Sequence, residues 1–191
     1  LKPMNVILCP GIHEYSLTKC FTESLSNVIC NSSTNKNSVN ILEFPANNLS
    51  ALSGFHIFQF LRDSLANQLE SQVVFVGFSA GVVGAITAAS LWQIFGGNVK
   101  AFIAIDGWMV PIYGNFPIHR MSHDYFTHWS SCLLGSGDHN FYAQPAVEHL
   151  ELWRSPSTVG GNWVDSPSGE LPLPLTAAEF INILLKRYED I

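Results

Sequence analysis

The sequence predicts a single-domain α/β protein, a three-layer sandwich with helices on both faces of a mostly parallel, five-stranded sheet. Short apolar runs alternate with amphipathic helical patterns along the chain, as crossover connections between parallel strands require. The chain has 191 residues, of which 47% are apolar and 13% charged, and that balance suits one well-buried core. No repeat or composition shift divides residues 1–191. We expect the strand order 2-1-3-4-5.

The predicted strands are short runs rich in β-branched and aromatic residues. They are Asn5–Cys9, Val39–Phe44, Val73–Phe78, Val99–Ile105 and Val147–Trp153. Between the first strands lie two amphipathic patterns that predict helices packed against the sheet. Their apolar stripes are Leu17, Phe21, Leu25 and Val28, then Ile57, Leu61, Leu65 and Leu69.

A capping box, Thr176-Ala177-Ala178-Glu179, predicts the start of the last helix. In this motif the threonine and glutamate side chains accept hydrogen bonds from free backbone amides. Two stretches predict loops. Residues 31–40 are rich in asparagine and serine, and Arg154–Leu175 contains several prolines and a glycine pair. We expect the second loop to be long and irregular, and able to cover a site.

Charge and cysteine content exclude several classes of function. The net charge of -6 and a pI near 5.5 disfavour nucleic acid as a partner. The four cysteines form no C-x-x-C pair, and no secretory leader pattern is present, so we expect free thiols in the cytoplasm. Ser71–Val99 has no charged residue, but a buried strand and a helix explain this stretch, and no membrane span is expected.

One motif in the sequence indicates a candidate catalytic residue. Gly77-Phe78-Ser79-Ala80-Gly81 is a G-x-S-x-G sequence between a predicted strand and a predicted helix. A sharp bend there lifts the serine side chain clear of the sheet and requires small neighbours. The free amides at the start of the helix would face the serine oxygen. The alternative is a glycine-eased turn in which Ser79 only caps the helix.

This motif, together with Cys9-Pro10-Gly11-Ile12-His13 after the first strand, resembles the α/β-hydrolase superfamily in a small form without a cap domain. The resemblance implies that Ser79 is a nucleophile and that the backbone amides of Ile12 and Ala80 form an oxyanion hole. A fainter similarity links the chain to uncharacterised bacterial, cyanobacterial hydrolase-like proteins, with no substrate implied. It rests on Asp106-Gly107-Trp108, Phe116–His119 and His149–Pro156.

The resemblance also implies the chain order nucleophile, acid, histidine. Asp106 follows the predicted fourth strand, where parallel sheets place their sites, and is our candidate acid. Its alternative role is a turn cap beside Gly107.

The superfamily carries its histidine after the last strand, but the sequence from Arg154 onward has none. The base must then be one of His119, His123, His128, His139 or His149. We favour His123, with His128 second, because both lie on a predicted helix over residues 120–129 that would cross above the strand ends. His149 falls inside the predicted fifth strand and is expected to be a packed core residue.

The same segment offers a metal alternative. His119 and His123 are four residues apart, as are Asp124 and His128, and such helical spacing can bind zinc. No cysteine or general-base glutamate accompanies them, so no metal is expected. The first strand is followed by neither G-x-G-x-x-G nor a P-loop, so no nucleotide cofactor is expected.

The predicted function is serine hydrolysis of a carboxylic ester or thioester with an apolar acyl or aromatic group. Aromatic residues concentrate in the segments expected over the site, and a wall of rings suits such a substrate. They are Trp108, Tyr113, Phe116, Tyr125, Phe126, Trp129 and Trp163. The same rings could instead cover the sheet or form a homodimer contact. The alternative function is a non-catalytic binding or scaffold protein on the same fold.

Overall fold

The fold is that of a computed structural model, which describes residues 3–32, 39–165 and 173–189. Within these ranges the chain forms an α/β structure with eight strands in one sheet and six interleaved α-helices. The strands are β1 (Met4–Cys9), β2 (Val39–Glu43), β3 (Gln72–Phe78), β4 (Asn98–Ile105), β5 (Ile118–Ser122), β6 (His139–Ala143), β7 (Gly160–Asp165) and β8 (Leu173–Thr176).

The helices alternate with the strands along the chain. They are α1 (Tyr15–Ser32), a short 3-10 helix (Asn48–Leu52), α2 (Gly54–Ser64), α3 (Gly81–Ile94), α4 (Tyr125–Cys132), α5 (His149–Arg154) and α6 (Ala177–Glu189). The predicted capping box is confirmed at the start of α6. The Thr176 amide donates to Glu179 Oε2 at 2.7 Å, and the Glu179 amide donates to Thr176 Oγ1 at 3.2 Å.

The sheet is mixed, with the strand order β2-β1-β3-β4-β5-β6-β7-β8. Strands β1 to β6 pair in parallel, and β7 and β8 add antiparallel pairs at one side. The predicted order 2-1-3-4 is confirmed for the first four strands. The predicted total of five strands is wrong, because four further strands were not predicted: β5 and β6 are short and carry histidine, arginine and asparagine instead of an apolar run, and β7 and β8 lie where a loop was expected.

The predicted fifth strand, Val147–Trp153, is also wrong, because this segment holds helix α5. His149, Leu152 and Trp153 have the spacing i, i+3, i+4, which places them on one helical face. Leu152 and Trp153 are buried, and the Trp153 ring stacks on Phe21 of α1 at 3.8 Å. The predicted helix over residues 120–129 is wrong in its first part, since β5 occupies residues 118–122 and α4 begins at Tyr125.

The two predicted loops are partly replaced by regular structure. The segment 154–175 contains β7 and most of β8; residues 166–172 lie outside the described residues, and with them the predicted cover. In the segment 31–40, α1 ends at Ser32 and β2 begins at Val39, and residues 33–38 are not described.

The core lies on both faces of the sheet. One cluster packs α1, α5 and α6 against the sheet and includes Val6, Leu8 and Trp153, and the other packs α2 and α3 and includes Ile7 and Trp92. Alternate side chains of β1 thus enter opposite cores, as a central parallel strand requires.

No helix in the described ranges has both the length and the apolar character needed to cross a membrane. The four cysteines are free thiols, and Cys9 is the buried one.

Candidate active site

The G-x-S-x-G segment forms a tight bend between β3 and α3. Ser79 has a φ of 54°, in the left-handed region that non-glycine residues rarely adopt, and its amide donates to the Ile105 carbonyl at 2.9 Å. A Cβ on Gly81 would lie 2.1 Å from the Cys9 carbonyl oxygen, and one on Gly77 would lie 2.9 Å from Val82 Cα. The close approach of strand and helix therefore requires both glycines, and the strained bend holds Ser79 at the end of the strand.

The loop after β1 lies against this bend. A Cβ on Gly11 would be 3.1 Å from Ser79 Cβ and 3.6 Å from the Ala80 amide nitrogen. Within the part of the chain that the structure describes, neither the Ile12 amide nor the Ala80 amide donates a hydrogen bond. The Ala80 amide is thus available next to the serine, where the positive end of α3 adds to it, and the Ile12 amide is the next one along the chain from Gly11.

Asp106 lies at the end of β4, one strand away from Ser79. It also has a left-handed φ, 50°, and its amide donates to the Met121 carbonyl at 2.8 Å. Its side chain is only 2% exposed. Oδ1 accepts the His123 backbone amide at 2.9 Å, and Oδ2 accepts Nδ1 of His123 at 2.8 Å and Nδ1 of His149 at 2.7 Å. One carboxylate therefore holds two imidazoles.

The contacts around Asp106 favour its charged form. Burial acts to raise the pKa of Asp106, but the hydrogen bonds from His123 and His149 lower it below the ordinary value. The hydrogen bond to Asp106 raises the pKa of His123 against the effect of partial burial, and the charges of Asp106, Asp124 and Glu148 act in the same direction. The two shifts act in the same sense, because each favours the charged form of its group.

His149 is the site residue that the sequence analysis set aside. It is the first residue of α5, and its ring stacks on Phe78, the neighbour of Ser79, at 4.8 Å. The side chain is 39% exposed, and Nε2 makes no hydrogen bond to any residue that the structure describes. The expectation of a packed core position is wrong because it depended on the incorrect fifth strand. The helical spacing of His149 with Leu152 and Trp153 could have revealed the helix.

The position of His149 bears on the lack of a histidine from Arg154 onward. The loop after the last predicted strand contains no histidine, but the last of the parallel strands is β6, and His149 follows it. His149 therefore comes after both Ser79 and Asp106 along the chain, whereas no histidine follows β8, the last strand in the chain order.

These groups border a common cleft of about 330 Å³ at the carboxyl ends of β3, β4 and β5. Its lining residues are Ser79, Ala80, Asp106, Trp108, Val110, His123, Thr127 and His149. The structure thus brings together Ser79, Asp106, His123 and Ala80 from the predicted set, whereas Ile12, which follows Gly11 in the chain, is not among the residues that line the cleft. The carboxyl ends of parallel strands are where α/β proteins bind ligands.

The other candidate histidines lie elsewhere. His128 has its ring stacked on Tyr142 and its Nδ1 4.0 Å from Cys132 Sγ, and burial lowers its pKa. His119 is buried within β5 and pairs with the Tyr188 hydroxyl, and His139 contacts Arg187. The second-choice base, His128, is therefore not in contact with Asp106.

The aromatic residues only partly surround the cleft. Trp108 lines it, and its Nε1 donates to Ser130 Oγ of α4 at 3.0 Å. Phe126 and Trp129 are exposed on α4. Phe116 and Trp163 are instead buried in the two cores, so the expectation that they cover the site is wrong for these two.

The metal alternative changes with the fold. His119 lies on β5, so the predicted helical pairing with His123 is absent. Asp106, His123 and His149 instead offer three ligand atoms within 4.8 Å of one another, a set of ligand types that zinc accepts. The Nδ1 atoms lie 2.7–2.8 Å from Oδ2, which is a hydrogen-bond distance, so shared protons already explain the arrangement.

The chain was compared with family models and with curated proteins. No protein-family model matches the chain, and no curated protein matches it either.

Proposed function

We propose that the protein is a serine hydrolase of the α/β-hydrolase type, acting on carboxylic esters or thioesters. The observation that carries this proposal is one cleft bordered by a serine on a strained strand-to-helix bend, a buried aspartate and an imidazole bound to that aspartate through Nδ1. In this proposal Ser79 is the nucleophile, Asp106 the acid and His149 the base, in place of His123, which the sequence favours.

The reaction follows from these positions. Nε2 of His149 accepts the proton of Ser79 Oγ while the oxygen attacks the acyl carbon, and Asp106 holds Nδ1–H and stabilises the imidazolium that forms. The amides of Ala80 and Ile12 donate to the oxyanion. The imidazolium returns its proton to the leaving alcohol or thiol, which leaves an acyl-serine. Water then attacks the acyl-serine with His149 again as base, and the acid product departs.

The cleft also supports a preference for uncharged acyl groups. Trp108 and Val110 supply apolar lining, and no lysine or arginine is among the residues that border the cleft. Asp124 and Glu148 place negative charge near His123, so a substrate with a negatively charged acyl group would be repelled. The preferred substrate has an apolar acyl or aromatic group.

A fluorophosphonate probe tests the proposal. We expect rapid labelling of the wild-type protein and of Ser90→Ala, a control on the same helix α3, and no labelling of Ser79→Ala. A folded wild-type protein that stays unlabelled, or equal labelling of Ser79→Ala, would contradict it.

The second candidate is a non-catalytic binding protein on this fold. The observation in its favour is that Ser79 Oγ makes no hydrogen bond to either imidazole within the described part of the chain. Catalytic hydrogen bonds are often loose before substrate binds, so we rank this candidate second. Ligand binding without any labelling would support it.

The cytoplasmic location, the single domain and a homodimer stay predictions. Size-exclusion chromatography with light scattering would test the homodimer directly.

A further inference from the structure

Two imidazoles share one carboxylate oxygen in this cleft, whereas a catalytic triad needs only one. Resting on the proposed function, we propose that His123 is a positioning residue that stays an imidazolium between Asp106 and Asp124, so that His149 alone exchanges a proton during turnover.

The contacts of His123 differ in number and kind from those of a free base. Its backbone amide and its Nδ1 both donate to Asp106, at 2.9 and 2.8 Å, and its Nε2 lies 3.4 Å from Asp124 Oδ2. Both ring nitrogens therefore face carboxylate oxygens. A neutral imidazole carries one lone pair on nitrogen and would turn it towards one of these anions, whereas an imidazolium donates to both.

Charged groups from every neighbouring element favour that cation. Asp106 faces it from the end of β4, Asp124 from the cap of α4, and Glu148 from the residue before α5. Partial burial of the ring acts against it, and the ring of His149 lies 5.8 Å away. These charges and the hydrogen bond to Asp106 raise the pKa of His123.

Asp124 is itself fixed by the fold. It caps α4 by accepting the Thr127 amide at 2.6 Å, so its carboxylate is held at the helix start next to His123. Burial acts to raise the pKa of Asp124, but the hydrogen bonds from Thr127 lower it overall, and the charge of His123 adds to them. The chain of contacts therefore runs from the α4 cap through His123 to Asp106 and ends at His149.

This arrangement gives the two histidines different tasks. A base must be neutral when substrate binds, and a fixed positive charge next to His149 opposes its protonation. His123 thus keeps Asp106 ionised and correctly oriented, and removing its charge should change the pH dependence of the reaction.

The pH dependence of kcat/KM with a chromogenic ester tests this role. In His123→Gln we expect the midpoint of the acid limb to move up by about one pH unit, the size of effect that a charge within about 6 Å produces. The plateau at alkaline pH should stay within about tenfold of the wild-type value. His128→Gln, a histidine replacement outside the cleft, should leave the profile unchanged.

Two results would overturn the proposal. If His123→Gln loses activity at every pH to the same extent as His149→Gln, then His123 is the base. If it lowers the rate with no change in the midpoint, then its role is structural only.

A second variant and a second measurement keep the test independent of folding and of turnover. Asp124→Asn retains a good helix cap and removes one negative charge that faces His123, so we expect the pKa of His123 to fall when it is followed by imidazole nitrogen NMR, and an unchanged titration of His123 would count against the proposal. Imidazole nitrogen NMR of the wild-type protein at pH 7 should find His123 protonated on both nitrogens and His149 neutral. A neutral His123 overturns the proposal even if the protein has no esterase activity, so its failure and that of the hydrolase proposal are distinguishable.

Discussion

Two histidine pairs lie near opposite ends of strand β5, and the surroundings shift the pKa of one member of each pair, His119 and His123, in opposite directions. After the carboxyl end of the strand, His123 and His149 bind the carboxylate of Asp106, and this contact raises the pKa of His123. In the first half of the strand, His119 is 1% exposed, and burial, with the charges of His139 and Arg187, lowers its pKa to about 4. The partner and the burial, rather than the residue type, decide whether an imidazole is charged.

The second pair has a structural task. The His139 amide donates to His119 Nδ1 at 3.2 Å, so the neutral ring carries its proton on Nε2, which donates to the Tyr188 hydroxyl at 2.6 Å. Arg187 of the same helix bonds to His139 Nε2 at 2.8 Å. These contacts attach α6 to β5 and β6, and nothing in them requires a proton to move. The cleft pair, in contrast, is partly exposed to solvent and borders the bend where Ser79 precedes α3.

The largest expected effect is a difference in activity between two variants, each with one histidine of a different pair replaced. We expect His149→Gln to lower kcat/KM for an ester by about 10³–10⁴-fold, because the serine loses its base, with little change in stability. His119→Asn should leave kcat/KM within about threefold, since His119 is not among the residues that line the cleft. Steady-state kinetics with urea unfolding of both variants makes the comparison. Similar losses of activity in both would break it.

The next effect is on stability as a function of pH. The folded protein keeps His119 neutral down to about pH 4, whereas the unfolded chain protonates it near its ordinary pKa of 6.5. Between these pH values the unfolded state therefore binds one proton more than the folded state. The contribution of the neutral His119 to the free energy of unfolding is fully present above pH 6.5 and is lost as pH falls towards 4. The loss should reach about 3 kcal/mol.

Urea unfolding at pH 7 and pH 4.5 measures this dependence. His119→Asn retains an acceptor for the His139 amide but has no titrating ring, so its dependence should be weaker than that of the wild type. If the free energy of unfolding changed equally between pH 7 and pH 4.5 in the two proteins, His119 would not be the source of the pH dependence.

A smaller effect is expected from Tyr188→Phe. It leaves the buried Nε2–H of His119 without its acceptor, which should lower the free energy of unfolding by about 1–2 kcal/mol. Probe labelling of Ser79 should proceed at the wild-type rate, because the two clusters share no contact among those described. Chemical denaturation and labelling kinetics on the same sample would settle both points, and slower labelling would show that the regions are coupled.

The smallest effect concerns the wall of the cleft. Trp108→Phe keeps an aromatic ring but loses the hydrogen bond to Ser130, so we expect KM for a medium-chain ester to rise about two- to threefold with kcat unchanged. Ser130→Ala removes the same hydrogen bond from the other side and should match it. A tenfold fall in kcat in either variant would instead place this contact in the catalytic machinery.

The cleft is also where sequence and structure can be compared residue by residue. Ser79 and its flanking glycines could be placed from the sequence because a strand-to-helix bend needs a local pattern of small residues. Asp106 could be placed because it directly follows an apolar strand. His149 could not, since its contact with Asp106 spans 43 residues and its position depends on strands β5 and β6, which have no strong apolar run.

By itself, then, the sequence determined the α/β class, the order of the first four strands, the capped last helix and the serine bend. Each of these depends on local periodicity or on a backbone conformation that few residue types permit. Only the tertiary structure decided the eight-stranded mixed sheet, which histidines meet Asp106, and the buried state of His119. Those features arise from contacts between segments that are distant in the sequence. Burial and neighbouring charges set the charge of a histidine, and the residues next to it in the sequence do not specify either of them.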